Sequence, residues 1–196
     1  LAGLRGLLGR DAADLTRLHD RARASFRARF PAPAGWLYDV VDGPEGDDAA
    51  LRPNQLLAWG LPHAPLAGQA GAAPGRSALA AVGEHLLTPL GLRSLAPFDR
   101  AYLGAHRGGP AERDSAYHQG TVWPWLIGPY VDASVALRTV PAKLLAGIDA
   151  HLSEWGLGSV SETADGEAPH RATGCPFQAW SVAEALRVHR KVGPAT

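Results

Sequence analysis

The sequence has 196 residues, of which 46% are hydrophobic and 19% charged, ordinary proportions for a globular chain long enough to bury one sizeable core. Its formal net charge is zero, so nothing in the balance attracts nucleic acid or an anionic membrane, and a neutral partner such as a sugar fits it. The single cysteine, Cys175, excludes an internal disulfide framework and a cysteine-based zinc cluster.

Cys175 reads as a small buried side chain near a helix start. No apolar run of about 18 residues offers a membrane span. No basic-then-apolar leader pattern opens the sequence, so a reducing cytoplasm is the expected location. Methionine is absent, and the first residues, Leu1, Leu4, Leu7 and Leu8, already form a helical apolar stripe with no capping residue before it. The expectation is a fragment whose N-terminal portion is missing.

Residues 11–30 predict an amphipathic helix. Leu15, Leu18, Ala22, Phe26 and Phe30 recur at helical spacing, with four arginines between 21 and 29 on other faces. Asp11 can cap this helix, and Pro31 and Pro33 stop it. Tyr38, Val40 and Val41 suit a short extended pair, with Asp42-Gly43 as the hairpin turn. Pro53 opens a helix through about Trp59. A Gly/Ala/Pro-rich connection over residues 68–75 leads to a helix over about 77–87. Residues 89–116 read as one long irregular segment, a length that marks functional loops. An apolar helix is predicted from Thr121 to about Leu137, kinked at Pro129. Another opens at Pro141 with a stripe of Leu144, Ile148, Leu152 and Trp155, ending at Gly156. A loop over 157–175 carries Glu162. The last helix starts near Pro176, carries Phe177, Trp180, Val182 and Leu186, and ends before Gly193. Helices separated by long loops, with no strand–helix alternation, point to an all-α fold, and an α/α array is compatible with them.

Three segments carry the chemistry. In residues 39–55, Arg52, Asn54 and Gln55 stand at a helix start, where they can present donors and acceptors at fixed angles or cap the helix. In residues 116–125, Tyr117, His118, Gln119, Trp123 and Trp125 crowd aromatic faces beside hydrogen-bonding groups. That combination suits a sugar ring, whose C–H faces lie on aromatics while its hydroxyls need oriented partners; it equally suits an aromatic core cluster. Gly120 allows close approach of a ligand or another backbone. In residues 158–180, Glu162 lies in a small-residue stretch with Asp165 and Glu167 close by, and glycoside hydrolysis uses carboxyl groups flanking the scissile bond. There is no HExxH pair, GxSxG elbow, GxGxxG or phosphate loop.

The pieces LYDVVDG, RPNQ, GLRSL, AYHQGTVWPWLIGP, SVSE, DGEAPHR and GCPFQAWSVAE follow one another in an order that resembles the bacterial and archaeal glycogen-debranching enzymes. The resemblance runs over about residues 1–190, and YHQGTVWPW is its most specific element. It implies that residues 1–196 are the C-terminal portion of a single amylo-α-1,6-glucosidase domain. The implied fold is an all-α (α/α)6 toroid of the six-hairpin glycosidase type, present as a partial barrel. The implied activity is inverting hydrolysis of α-1,6-glucosidic branch stubs, on an α-glucan or glycogen-derived oligosaccharide. Neither metal nor organic cofactor is implied, and neither nucleic acid nor membrane is an expected partner.

The family's base, the glutamate of a Ser-Glu segment before the last helix, corresponds to Glu162. Tyr117, His118, Gln119 and Trp123 are the implied contacts to the terminal glucose, with Arg52, Asn54, Gln55, Arg93 and His170 as further wall positions. The family's acid belongs to a Thr-Trp-Met-Asp segment that this sequence does not contain, and Asp39 and Asp42 match a different motif. The isolated chain is therefore expected to be inactive. Two departures stand out: Thr163 and Ala164 replace a larger pair after Ser-Glu, and the connection between Val131 and Leu144 is short. Two other readings use the same residues: a non-catalytic carbohydrate-binding remnant, and another (α/α)6 glycosidase of different linkage specificity.

Overall fold

A computed structural model describes residues 1–68, 73–140 and 144–192. Helix α1 (Ala2–Leu7) and helix α2 (Ala13–Arg29) form an outlying pair. Asp11 accepts the Ala13 N–H at 3.0 Å, and Arg5 reaches back to Asp14 at 2.9 Å. Neither helix fully buries a residue, and Leu1, Leu4, Leu7, Leu8 and Leu18 are exposed. The stripe of α2 meets the core only at its end, through Phe26 and Phe30, whose rings stack 4.0 Å apart. Arg23 and Arg27 fasten α2 instead, donating to the backbone carbonyls of Pro65 and Ala67.

Strands β1 (Val40–Gly43) and β2 (Gly46–Asp48) form the expected hairpin. Gly43 pairs with Gly46, so the turn falls on Pro44-Glu45, two residues beyond the expected Asp42-Gly43. Asp42 keeps a positive φ of 58° and is held by Arg29 at 2.8 Å. Pro53 does open a helical turn: a 3₁₀ turn over Pro53–Leu56 runs into helix α3 (Leu57–Gly60). Helix α4 (Ala73–His85) begins earlier than expected; residues 69–72 of the connection before it lie outside the described residues.

The fold is not the expected all-α toroid. Five strands, β3 (Leu87–Thr88), β4 (Gly91–Arg93), β5 (Val122–Trp123), β6 (Thr163–Ala164) and β7 (Ala172–Thr173), pair in chain order as one antiparallel sheet. Each strand is two or three residues long, too short to display an alternating hydrophobic period, so its backbone pairing leaves no mark on residue type. The segment read as irregular over 89–116 holds β4 and helix α5 (Pro110–Ala116), and the loop read over 157–175 holds β6 and β7. The helix expected from Thr121 is replaced by β5, a 3₁₀ turn over Pro124–Leu126 and helix α6 (Ile127–Leu137). Pro129 thus falls in the first turn of α6, where no intrahelical N–H is required, and not at an internal kink.

The helix expected from Pro141 starts outside the described residues and appears as α7 (Ala146–His151). Helix α8 (Ala179–Val192) closes the fold. Ser181, Ala185 and Val188 are buried, while Phe177, Trp180 and Leu186 are exposed. Cys175 is likewise exposed.

One core joins these elements. Leu51, Leu56, Val82, Leu86, Leu92, Ile127, Val131, Leu137, Ile148 and Val188 pack in a single cluster drawn from helices and strands alike. A charged clamp locks α8 onto α6: Arg187 makes paired bonds to Asp132 at 2.9 and 2.8 Å and also binds Glu184, while Lys191 reaches Asp132 at 2.6 Å. Burial pushes the Asp132 carboxyl up, but its hydrogen bonds to Arg187 and Lys191 outweigh that and hold it below the ordinary value. A depressed folded-state value stabilises the fold above the unfolded value and loses that contribution as pH falls through the folded one. Asp132→Asn is expected to cost about 2 kcal/mol at neutral pH, the scale of hydrogen bonds to a charged group. The gap to wild type should close below about pH 4, and urea melts at stepped pH check both statements.

Candidate functional site

A cavity of about 430 Å³ opens where the residues around the first hairpin, the Pro53 turn, the end of β4, the α5–β5 connection and the start of α8 converge. This volume lies in the range of about 300–1,000 Å³ usual for small-molecule sites. Its wall includes Asp39, Arg52, Asn54, Ser94, His118, Gln119, Trp123, Trp125 and Trp180.

Arg52 ties four of the contributing segments together. Its guanidinium donates to the Ser94 carbonyl at 3.0 Å, the His118 carbonyl at 2.6 Å and the Gln119 side-chain oxygen at 2.7 Å, and lies 3.5 Å from the Asp39 carboxylate. Asn54 donates its amide N–H to the other Asp39 oxygen at 2.8 Å. With its side-chain oxygen taken by Arg52, Gln119 has its NH₂ as the group to offer a ligand. Asp39 is fixed from behind, since its N–H continues the hairpin by bonding the Asp48 carbonyl at 2.8 Å.

The aromatic wall is equally set. Trp123 is buried, with its indole N–H donated to the Tyr117 carbonyl at 3.0 Å. The exposed His118 ring lies parallel to it, centroids 5.7 Å apart, and Tyr117 stands edge-on against both. The bend that carries Tyr117 and His118 depends on Gly120, whose φ is +138°. A Cβ there would meet the Tyr102 ring at 2.6 Å and the Leu103 carbonyl at 2.8 Å, so the neighbour that needs the space is protein and not ligand.

Glu162 is half-buried at the head of β6 and is held at both oxygens. Tyr117 O–H donates to Oε1 at 2.7 Å, the Cys175 N–H donates to Oε2 at 3.0 Å, and the Glu162 N–H bonds the Cys175 carbonyl at 2.8 Å. The carboxylate does not line the cavity itself; it connects to the wall through Tyr117, whose ring rests on Trp123. Burial, then the hydrogen bond to Glu162 and its charge, push the Tyr117 phenol up to about 12.

Of the expected site residues, Arg52, Asn54, His118, Gln119 and Trp123 come together on the cavity. Tyr117 and Glu162 form the pair behind its wall. Gln55 turns inward, accepting the Leu37 N–H and donating to the Arg52 carbonyl, which braces the turn. Arg93 clasps the Gly166 and His85 carbonyls, and the His170 ring lies 3.1 Å from the Asp165 carbonyl; neither reaches the cavity.

Other residues belong to the neighbourhood: Asp165 is marked in sequence only by its nearness to Glu162, and His106 and Arg107 by nothing local. Asp165, fully buried, accepts the His106 N–H at 2.9 Å and the Arg107 guanidinium. The His106 ring lies 5.4 Å from that of Tyr117 and 3.0 Å from the Thr173 hydroxyl; burial pushes its imidazole below the ordinary value, and the charge of Arg113 adds to this. Among the described residues, no three His, Cys, Asp or Glu side chains stand together as metal ligands. No described helix is long and apolar enough to cross a membrane.

Because Glu162 raises the Tyr117 phenol, Glu162→Gln is expected to bring its ionisation down from about 12 toward, but not to, the ordinary ~10, since burial remains. A pH titration of ¹³Cζ-labelled tyrosine by NMR measures the shift. An unmoved resonance would mean that the pair does not form in solution.

Comparison with known proteins adds one finding. A family model described as amylo-alpha-1,6-glucosidase matches residues 5–187. No curated protein matches the chain. With that match spanning nearly its whole length, the chain belongs to the amylo-alpha-1,6-glucosidase family, a family of glycoside-hydrolase type.

Proposed function

We propose that the cavity receives the terminal glucose of an α-1,6-linked glucan stub and that Glu162 is the general base of an inverting hydrolysis. The observation that carries this reading is the composition of the wall. Flat aromatic faces at Trp123 and His118 adjoin oriented polar groups at Asp39, Asn54 and Gln119, the pairing a pyranose ring demands. The Glu162 carboxylate, held by Tyr117 against that wall, supports the assignment of the base.

In such a reaction the carboxylate takes a proton from water as the water oxygen attacks C1 of the glucose. The C1–O6 bond breaks, and an acid returns a proton to the leaving oxygen. In inverting enzymes the two carboxyl groups stand about 6.5–9.5 Å apart, leaving room for the water. The family resemblance gives the acid role to an aspartate of a Thr-Trp-Met-Asp segment, which the 196-residue sequence does not contain. Asp39, paired with Arg52 and Asn54, is assigned to hydroxyl binding and not to acid catalysis. General acid–base participation contributes about 10²–10⁴-fold, so the chain without that segment should turn over slowly or not at all.

A second reading, saccharide binding without cleavage, draws on one observation: Glu162 stands behind Tyr117 and not in the cavity lining. Hydrolysis of an α-1,6-linked glucosyl oligosaccharide separates the two. In a protein extended with a Thr-Trp-Met-Asp segment, ¹H NMR should show β-glucose released first, and Glu162→Gln should lower the rate by about 10²-fold or more while the melting temperature is little changed. Full activity in the Gln variant would remove Glu162 from the role. Saccharide binding with no glucose released by the extended protein would favour the second reading.

A further inference from the structure

The tryptophans span a wide range of exposure. Trp59 and Trp123 are 5% and 7% exposed, as aromatic core residues are, whereas Trp180 is 62% exposed. Trp180 is nonetheless not a stray surface residue, since it lines the cavity that Arg52, Asn54 and Gln119 share. It also meets the half-buried Trp125 edge-on, with ring centroids 6.4 Å apart and planes at 87°. The two indoles form a right-angled aromatic corner on the cavity rim. The face of α8 that packs inward is Ser181, Ala185 and Val188, so Trp180 is not needed to seat the helix.

A large indole left in water forgoes the stabilisation its burial would bring, about 25 cal/mol per Å² of apolar surface. That surface gains it when a ligand covers the ring. The neighbours limit what the ligand is. Within one cavity the indole corner adjoins an arginine, two amide residues and two aspartates, which suits a molecule with apolar faces and a hydroxylated edge, not a lipid or an apolar peptide.

We propose that Trp180, with Trp125 beside it, is a second sugar subsite, taking the glucose unit next to the one in the cavity and so making the site selective for chains over free glucose. The proposal rests on the reading of the cavity as a glucose site. The second pyranose lays its C–H face on the Trp180 indole, while the polar wall holds the first. Recognition by a ring face is indifferent to linkage and depends on chain length, so the subsite favours an α-glucan oligosaccharide in general.

The experiment is calorimetric titration of the 196-residue chain with glucose and with an α-1,4-linked glucose tetrasaccharide. Wild type should bind the tetrasaccharide at least tenfold more tightly than glucose. Trp180→Ala should remove about tenfold of the tetrasaccharide's advantage over glucose, and Trp180→Phe should keep most of it. Phe177→Ala is the control: Phe177 is 64% exposed but does not line the cavity, so both affinities should stay at wild-type values.

Equal affinity for the two sugars in wild type, or an advantage that survives in Trp180→Ala, overturns the subsite while leaving the cavity as a glucose site. The same loss in Phe177→Ala also overturns it, because the effect would then be a general one of exposed aromatics. Binding of neither sugar overturns the subsite together with the cavity reading. Failure of Glu162 as base would appear only in the hydrolysis assay, with these affinities unaltered.

Discussion

Val122 pairs with Ala164 across an antiparallel sheet whose strands are only two or three residues long, and this one pairing brings two distant stretches of chain together. Glu162 lies two residues ahead of that rung and Tyr117 five residues ahead of it on the other side, which is how a phenol and a carboxylate 45 positions apart meet at 2.7 Å. The partner strand β7 supplies the other half of the hold, since the turn leading back from it presents the Cys175 N–H to Oε2. Gly174 makes that turn feasible. Its φ is +70°, and a Cβ there would stand 2.6 Å from the carboxylate. A helical array would have left these residues on separate loops; the sheet turns the loops into fixed rungs.

Arg52 does for the cavity what the sheet does for Glu162. A planar guanidinium offers five donors in a rigid fork, and here they reach two backbone carbonyls and a side-chain amide, with a carboxylate alongside. A lysine would bring a compact point of charge without that rigid fork. Because Arg52 is so engaged, its charge is part of the architecture. A ligand entering the cavity meets amide groups and the carboxylate of Asp39, already oriented, with little reorganisation left to make.

What could be read from residue order follows the length of each element. The helix over 13–29 declares itself through a stripe repeated over several turns, and the Pro53 turn through its proline. Strands of two or three residues cover little more than one period of alternation, so β3 to β7 leave no pattern in the sequence and an all-α reading follows. Residue type does not reveal the inner face of α8 either. Phe177, Trp180 and Leu186 look like a core stripe by type, yet the buried residues are the small Ser181 and Ala185 with Val188, because α8 packs closely on its neighbours. For the candidate site, local clustering brought Tyr117, His118, Gln119 and Trp123 together, since they are neighbours in sequence as well as in space. Gln55 and Arg93 carry the same hydrogen-bonding groups as Asn54 and Arg52, and only the backbone carbonyls around them decide that they brace the fold.

The aromatic groups of this protein divide into fixed and unfilled parts, and the division has a physical basis. Trp123 has its N–H bonded to the Tyr117 carbonyl and its ring pressed by His118 and Tyr117, so it can offer a ligand a face at one position only. Tyr117 is constrained at three points: its carbonyl by Trp123, its hydroxyl by Glu162, and its ring by His106 beneath. The wall and the carboxylate therefore form one mechanical unit. A shift of Trp123 strains the carbonyl bond of Tyr117, and a shift of Tyr117 takes from Glu162 one of the two donors that fix its carboxylate.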